Sequence, residues 1–189
     1  MKSIGLPHTR FYGKYRGQVA NNKDPMNLGR LQVRVPTVLG TNTLNWALPC
    51  VPYAGTQVGF LAIPPENANI WVEFEGGDVN YPIWSGCFWS EGQMPEGFDL
   101  VETKFFKTQS ATLKLNDTPQ AGGITLEIAS PAVSGIMVLQ MNSEGIKVSV
   151  NDMATLQLSE AGIQLQNGAQ SIMLTEASVS INEGVLEII

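Results

Sequence analysis

The sequence predicts an all-β chain in two parts, a small N-terminal barrel followed by a C-terminal prism that copies of the chain intertwine to build. Three observations carry that expectation. Apolar and polar residues alternate with period two through most of the chain, and helical periodicity is hard to find anywhere. After Phe106 there is no Phe, Tyr, Trp, Cys, His or Arg, so the second part has only slender aliphatics to fill a core. Its strand-like segments restart every 6–12 residues or so, a period that belongs to solenoids and prisms rather than sandwiches.

Taken in order, residues 1–10 form a leader holding the single histidine, His8. Residues 11–90 read as the barrel. Phe11, Tyr15 and Val19 share one parity, with Lys14, Arg16 and Gln18 on the other. Asn21-Asn-Lys-Asp-Pro-Met-Asn27 is dense in turn formers, with Asp24-Pro25 starting the turn. Leu31, Val33 and Val35 alternate with Arg30, Gln32 and Arg34 as a half-buried strand. Trp46 to Tyr53 is apolar, but its prolines suggest an edge or an irregular crossing. Strands are expected at 58–63, 69–75 and 81–89, giving about five antiparallel strands, which suits a small closed or partly open barrel. Trp46, Trp71, Trp84 and Trp89 read as core or interface. Residues 91–108, with Gly92, Pro95 and Gly97, read as a linker, and 109–189 as the prism.

Charge divides the same way. Lys114 and Lys147 are the only basic residues after Lys107, so essentially all of the net charge of −6 falls in the second part. An acidic appendage repels nucleic acid backbones and anionic headgroups. No apolar run is long enough for a signal peptide or a membrane helix, which predicts synthesis in the cytoplasm without export. Cys50 and Cys87 are expected to be reduced and buried.

In the second part, Ile124-Thr-Leu-Glu-Ile128, Ile146-Lys-Val-Ser-Val150, Ala154-Thr-Leu-Gln-Leu158 and Ile163-Gln-Leu-Gln166 each present one apolar stripe. Five-residue strands parted by sharp corners fit three chains, each supplying one wall of a triangular tube. Ile146, Val148, Val150, Leu156, Leu158, Ile163, Leu165, Val179 and Ile181 are the expected axis residues. About nine strands at 4.7 Å spacing would give a rod on the order of 40–50 Å long.

Tyr15-Arg-Gly-Gln-Val19, Asn22-Lys-Asp-Pro25, Leu28-Gly-Arg-Leu-Gln-Val-Arg-Val-Pro36, Trp46-Ala, Pro49, Pro52, Pro64, Val72-Glu-Phe-Glu-Gly-Gly-Asp78 and Pro82-Ile-Trp-Ser-Gly86 occur in that order. Together they resemble the OB-fold domain of contractile-tail spike proteins, a group that includes phage baseplate assembly protein V and the VgrG spikes of type VI secretion. The resemblance implies an all-β homotrimer, a five-stranded OB-fold barrel followed by a triple-stranded β-helix or prism. It also implies a central spike beneath a hub, driven through a target envelope when the sheath contracts, in the baseplate of a virion or injection particle. Some relatives insert a lysozyme domain, for which 91–108 leaves no room, and VgrG chains begin with a fused hub. Here the hub is expected to be a separate protein.

The candidate sites follow. Lys14, Arg16, Arg30 and Arg34 could form a hub contact, a solvated face or a nucleic-acid surface. Nucleic-acid binding by an OB barrel on a trimerising stalk is the alternative function; a carbohydrate-binding fibre would need a receptor-binding head. Glu73 and Glu75 share a strand face, but without a partner they read as solvated rather than as an acid–base pair. No catalytic constellation, cofactor motif or metal-ligand spacing stands out. Val185, Leu186, Ile188 and Ile189 would leave a blunt apolar terminus in a trimer, which suggests contact with a separate conical tip protein similar to PAAR-repeat caps.

Overall fold

The computed structural model describes residues 9–97, 101–183 and 185–188. The chain divides into two compact units that meet between Pro95 and Glu96.

The first unit is a closed barrel of β1 (Tyr15–Asn21), β2 (Leu31–Arg34), β3 (Thr43–Pro49), β6 (Asn69–Phe74) and β7 (Pro82–Cys87), in the spatial order β1-β2-β3-β7-β6. The alternation read from the sequence sets which side chains point inward. Val19, Leu31, Val33, Val35, Ala47, Ile70, Val72, Phe74 and Trp84 form one buried cluster, while Lys14, Arg16, Gln18 and Arg34 point out. Each fully buried Val, Leu or Ile contributes about 1.5–3 kcal/mol relative to exposure. Phe11, Tyr15 and Phe74 stack near the barrel end with ring centroids 5.5–6.1 Å apart. Gly17 lets β1 press onto β2, since a β-carbon there would lie 2.9 Å from the Arg34 carbonyl oxygen.

Closure came from a segment the sequence suggested for an edge. β3 pairs with β7 in parallel, Leu48 opposite Ile83 and Pro49 opposite Trp84, and the Cys50 amide continues the ladder to the Trp84 carbonyl at 2.9 Å. The proline is tolerated because the hydrogen bonding passes to the next residue. The expected strand over 58–63 is absent. Only β4 (Ala54–Gly55) and β5 (Val58–Gly59) pair there, as a minimal hairpin, and Phe60, Leu61 and Ile63 are exposed. That segment is apolar on both parities, so no single pleat face could bury it. A one-turn helix, α1 (Pro36–Leu39), follows β2. Cys50 and Cys87 are free thiols, as expected, but both are exposed rather than buried.

The second unit is a ten-stranded antiparallel meander. It consists of β8 (Thr103–Lys107), β9 (Ala111–Asn116), β10 (Gly123–Ile128), β11 (Met137–Asn142), β12 (Gly145–Val150), β13 (Ala154–Ser159), β14 (Gly162–Asn167), β15 (Gln170–Leu174), β16 (Val179–Ile181) and β17 (Leu186–Ile188). Each strand pairs with its neighbours in sequence, so the sheet is one unbroken ladder. At about 4.8 Å per strand it rises about 45 Å. It begins at Thr103, inside the stretch read as a linker.

Candidate functional site

The register of the ladder turns the stripes of individual strands into columns. One column runs Phe106, Leu113, Leu126, Leu139, Val148, Leu156, Leu165, Ile172, Ile181, Leu186, one residue from each of the ten strands. A second runs Leu115, Ile124, Met141, Ile146, Leu158, Ile163, Leu174, Val179. A shorter third holds Ala111, Ile128, Met137, Val150 and Ala154. Between them, on the opposite face, run Lys114, Thr125, Gln140, Lys147, Gln157 and Gln164.

All nine residues read as axis candidates lie on this one apolar face. Ile146, Leu158, Ile163 and Val179 fall in one column, Val148, Leu156, Leu165 and Ile181 in the next, and Val150 in the third. Val148 and Leu165 are 40% and 44% exposed, whereas the polar face buries Ser149 to 4%. A folded protein ordinarily covers its apolar side first. In one copy of this chain the aliphatic face is the open one, a contiguous apolar surface of the kind that marks an interface. A trough on it, lined by Val148, Leu156, Leu165, Ile172 and Ile181, has a volume of about 530 Å³. The axis candidates left out Leu113, Leu126, Leu139 and Ile172 of the same column, because membership depends on cross-strand register rather than on any one strand's pattern.

The strand corners place these columns in register. Gly123, Gly145 and Gly162 open β10, β12 and β14 with φ of 151°, 117° and 135°. A β-carbon at Gly145 or Gly162 would lie 2.0 Å from the carbonyl oxygen of Leu158 or Leu174. Only glycine permits that approach. Asn151 and Asp152, with φ of 53° each, make the tight turn between β12 and β13, and the Asn151 Oδ1 accepts from the Ile136 amide at 2.8 Å.

On the barrel, the four basic candidates do not form one patch. Arg30 is committed to Asp24. Its guanidinium donates to both carboxylate oxygens at 2.6–3.2 Å, the pair is largely buried, and it lies 5.4 Å from the Trp46 ring. Asp24 also accepts from the backbone amides of Met26, Leu28 and Arg30, so it organises the whole 22–30 loop rather than only starting a turn. The Arg30 guanidinium, against a smaller opposing cost of burial, holds the Asp24 carboxyl far below the usual carboxylate range. Trp84 anchors the same loop through its indole N–H, which donates to the Gly29 carbonyl at 3.0 Å.

Lys14 pairs with Glu73 at 3.1 Å and donates to the Ser85 hydroxyl at 2.9 Å. The Lys14 hydrogen bond lowers the Glu73 pKa, the reverse of what a general acid needs. Glu75 has left the strand and begins a 3₁₀ turn over Glu75–Gly77, so the two glutamates do not make a pair. Arg16 sits over Trp71 and Phe88, 5.8 and 5.4 Å from the ring centroids, and so covers the aromatic surface on which a base would have to stack. Arg34 is exposed and pairs with Gln18 across β1 and β2. Among the Trp residues, Trp84 is buried and Trp89 is 57% exposed.

Val185 and Leu186 of the terminal group are exposed; Ile189 and the side chain of Ile188 lie outside the described residues. Among the described residues, no group of His, Cys, Asp and Glu is placed to hold a metal, and no helix is long and apolar enough to cross a membrane.

Comparison with known families agrees with this division. Residues 15–89 match the type VI secretion system and phage-baseplate injector OB domain, and residues 136–187 match the phage baseplate V C-terminal trimerisation domain. No curated protein matches the chain. Both families are structural baseplate domains, and the trimerisation match falls within the open apolar ladder, running from β11 into β17. The first unit thus carries an injector OB barrel and the second a baseplate V trimerisation domain, which makes the chain similar to the trimeric, spike-like structural proteins of phage and type VI baseplates.

Proposed function

We propose that this chain is the central spike of a contractile tail or related injection baseplate. Three copies set their ladders face to face around a dry aliphatic axis. The barrels cap the inner tube beneath a separate hub, and sheath contraction drives the rod through the target envelope. The role is mechanical, with no chemical step for the protein to catalyse.

The observation that carries the reading is the continuous apolar column with one residue from every strand of the ladder. A wall whose strands are hydrogen-bonded to both neighbours, and whose apolar side is covered by two identical walls, is stiff along its length and has no lateral seam of exposed aliphatics. Such a rod suits axial load. Arg16 and Arg34, both exposed on the barrel wall, are the cationic contacts offered to the hub; Lys14 is paired with Glu73, and Arg30 acts indirectly, by holding its loop. At the last strand of the ladder, the exposed Val185 and Leu186 of three copies are the apolar contacts offered to a conical tip protein of the PAAR-repeat kind.

Electron microscopy of the assembled particle tests the proposal. The expected result is threefold density on the tail axis at the distal end of the tube, with the barrels on the tube side. Density at the particle periphery, or a ratio other than three copies per tube, would sink it.

A further inference from the structure

Between Arg34 and Glu66 no residue carries a charge, although 15% of the whole chain is charged. Apart from the buried Val35, Ala47 and Pro64, most of the stretch is nonetheless at or near the surface. It contains the hairpin of β4 and β5, closed by the Phe60 amide donating to the Tyr53 carbonyl at 2.9 Å. Tyr53 and Val58 on that hairpin are 58% and 51% exposed, followed by Phe60 and Leu61 at 54% each. Leu61 reaches back to the Asp24 loop, where its methyls lie 3.3 Å from a β-carbon built on Gly29, beside the exposed Leu28. The apolar side chains therefore extend from the hairpin to the Asp24 loop, which the largely buried Asp24–Arg30 pair ties together. Soluble proteins rarely leave a contiguous apolar patch of this kind to water.

We propose that this uncharged patch is where one barrel grips the barrel of a neighbouring copy in the trimer, so that the spike is held together at the barrel as well as along the ladder. The proposal rests on the homotrimer. Two considerations make a second copy the occupant. From Cys87 to Thr103 the chain can extend at most about 55 Å, so trimerised ladders hold their barrels on short tethers. Tethers of that length give effective concentrations in the millimolar range, and the barrels meet one another before any other partner. The chemistry also fits a permanent contact: an interface core without charge resembles the obligate kind, buried once at assembly. The contact is heterologous, the patch of each copy meeting a different surface of the next, as a closed threefold ring requires.

The test uses the full chain with a photoreactive benzophenone side chain in place of Val58. Light scattering on the unmodified protein first establishes the mass; a species other than a trimer would fail the trimer itself, separately from this proposal. In the trimer, irradiation should give covalent dimers and trimers on a boiled denaturing gel, with the linked peptides falling in residues 9–95 of both copies. Links confined to one copy, links to a ladder, or no covalent oligomer would overturn the proposal. As a second measurement, Phe60→Ser with Leu61→Ser should leave the trimer mass unchanged and speed amide exchange over residues 53–63 at least tenfold. Unchanged exchange, or protection in the unmodified protein that appears only after the hub is added, would also overturn it.

Discussion

Asp24 is the residue on which most of the barrel's loop architecture depends, since one carboxylate accepts from three backbone amides and a guanidinium. Its folded-state pKa is depressed mainly by Arg30, and that of Glu73 mainly by Lys14. A depressed carboxylate contributes stability that is present above its unfolded value, near 4, and is lost as pH falls through the folded value. The barrel should therefore melt at steadily lower temperature as pH drops below about 4, followed by tryptophan fluorescence from pH 7 to pH 2. Asp24→Asn should lower the melting temperature at pH 7 and flatten that acid limb. An acid limb as steep as in the unmodified protein would assign the loss to other groups. The turn at Asp24-Pro25 was legible in the sequence because turn formers cluster there. The partnership with Arg30 was not, because Arg30 falls on the polar parity of its strand, where pattern alone reads it as solvated.

At the scale of elements, the ladder depends on glycines that no side chain can replace. Gly145→Ala and Gly162→Ala each drive a β-carbon into a backbone carbonyl and hold alanine at φ beyond +100°. Backbone strain of this kind costs about 1–3 kcal/mol at each site before any clash is counted. Both variants should melt the ladder earlier than the barrel, seen as a split transition in circular dichroism; a melt indistinguishable from the unmodified protein would mean the corners relax freely. Strand existence in the ladder was readable from period-two alternation, and the barrel core likewise from Leu31, Val33 and Val35 or Ile70, Val72 and Phe74. Two elements were not readable. Pro49 pointed to an edge or an irregular crossing, yet β3 closes the barrel by pairing in parallel with β7, and the missing donor is replaced by the Cys50 amide. Residues 58–63 carry strand-forming residues but no polar parity, so propensity pointed to a strand that the chain has no surface to pair with.

For the whole molecule, the distribution of apolar surface couples folding to assembly. The barrel buries its own core, whereas the ladder leaves Leu113, Val148, Leu165 and Ile172 about two-fifths exposed in one copy. Stability gained only on association depends on protomer concentration. The ladder's unfolding midpoint should rise with protein concentration more steeply than the barrel's, whose core is buried within one copy, and the native trimer should run intact in SDS until boiled. Val148→Lys puts a charge in the middle column, where three copies would bring three ammonium groups together in an aliphatic axis. That variant should abolish the trimer on light scattering while the barrel still folds. Lys147→Gln, one residue away on the polar face, should change stability by no more than about 0.5 kcal/mol. Face, not chemistry alone, is what the pair tests. If Val148→Lys stayed trimeric and Lys147→Gln did not, the polar face would be the one turned toward the axis, and the assignment of inside and outside in the spike would have to be reversed.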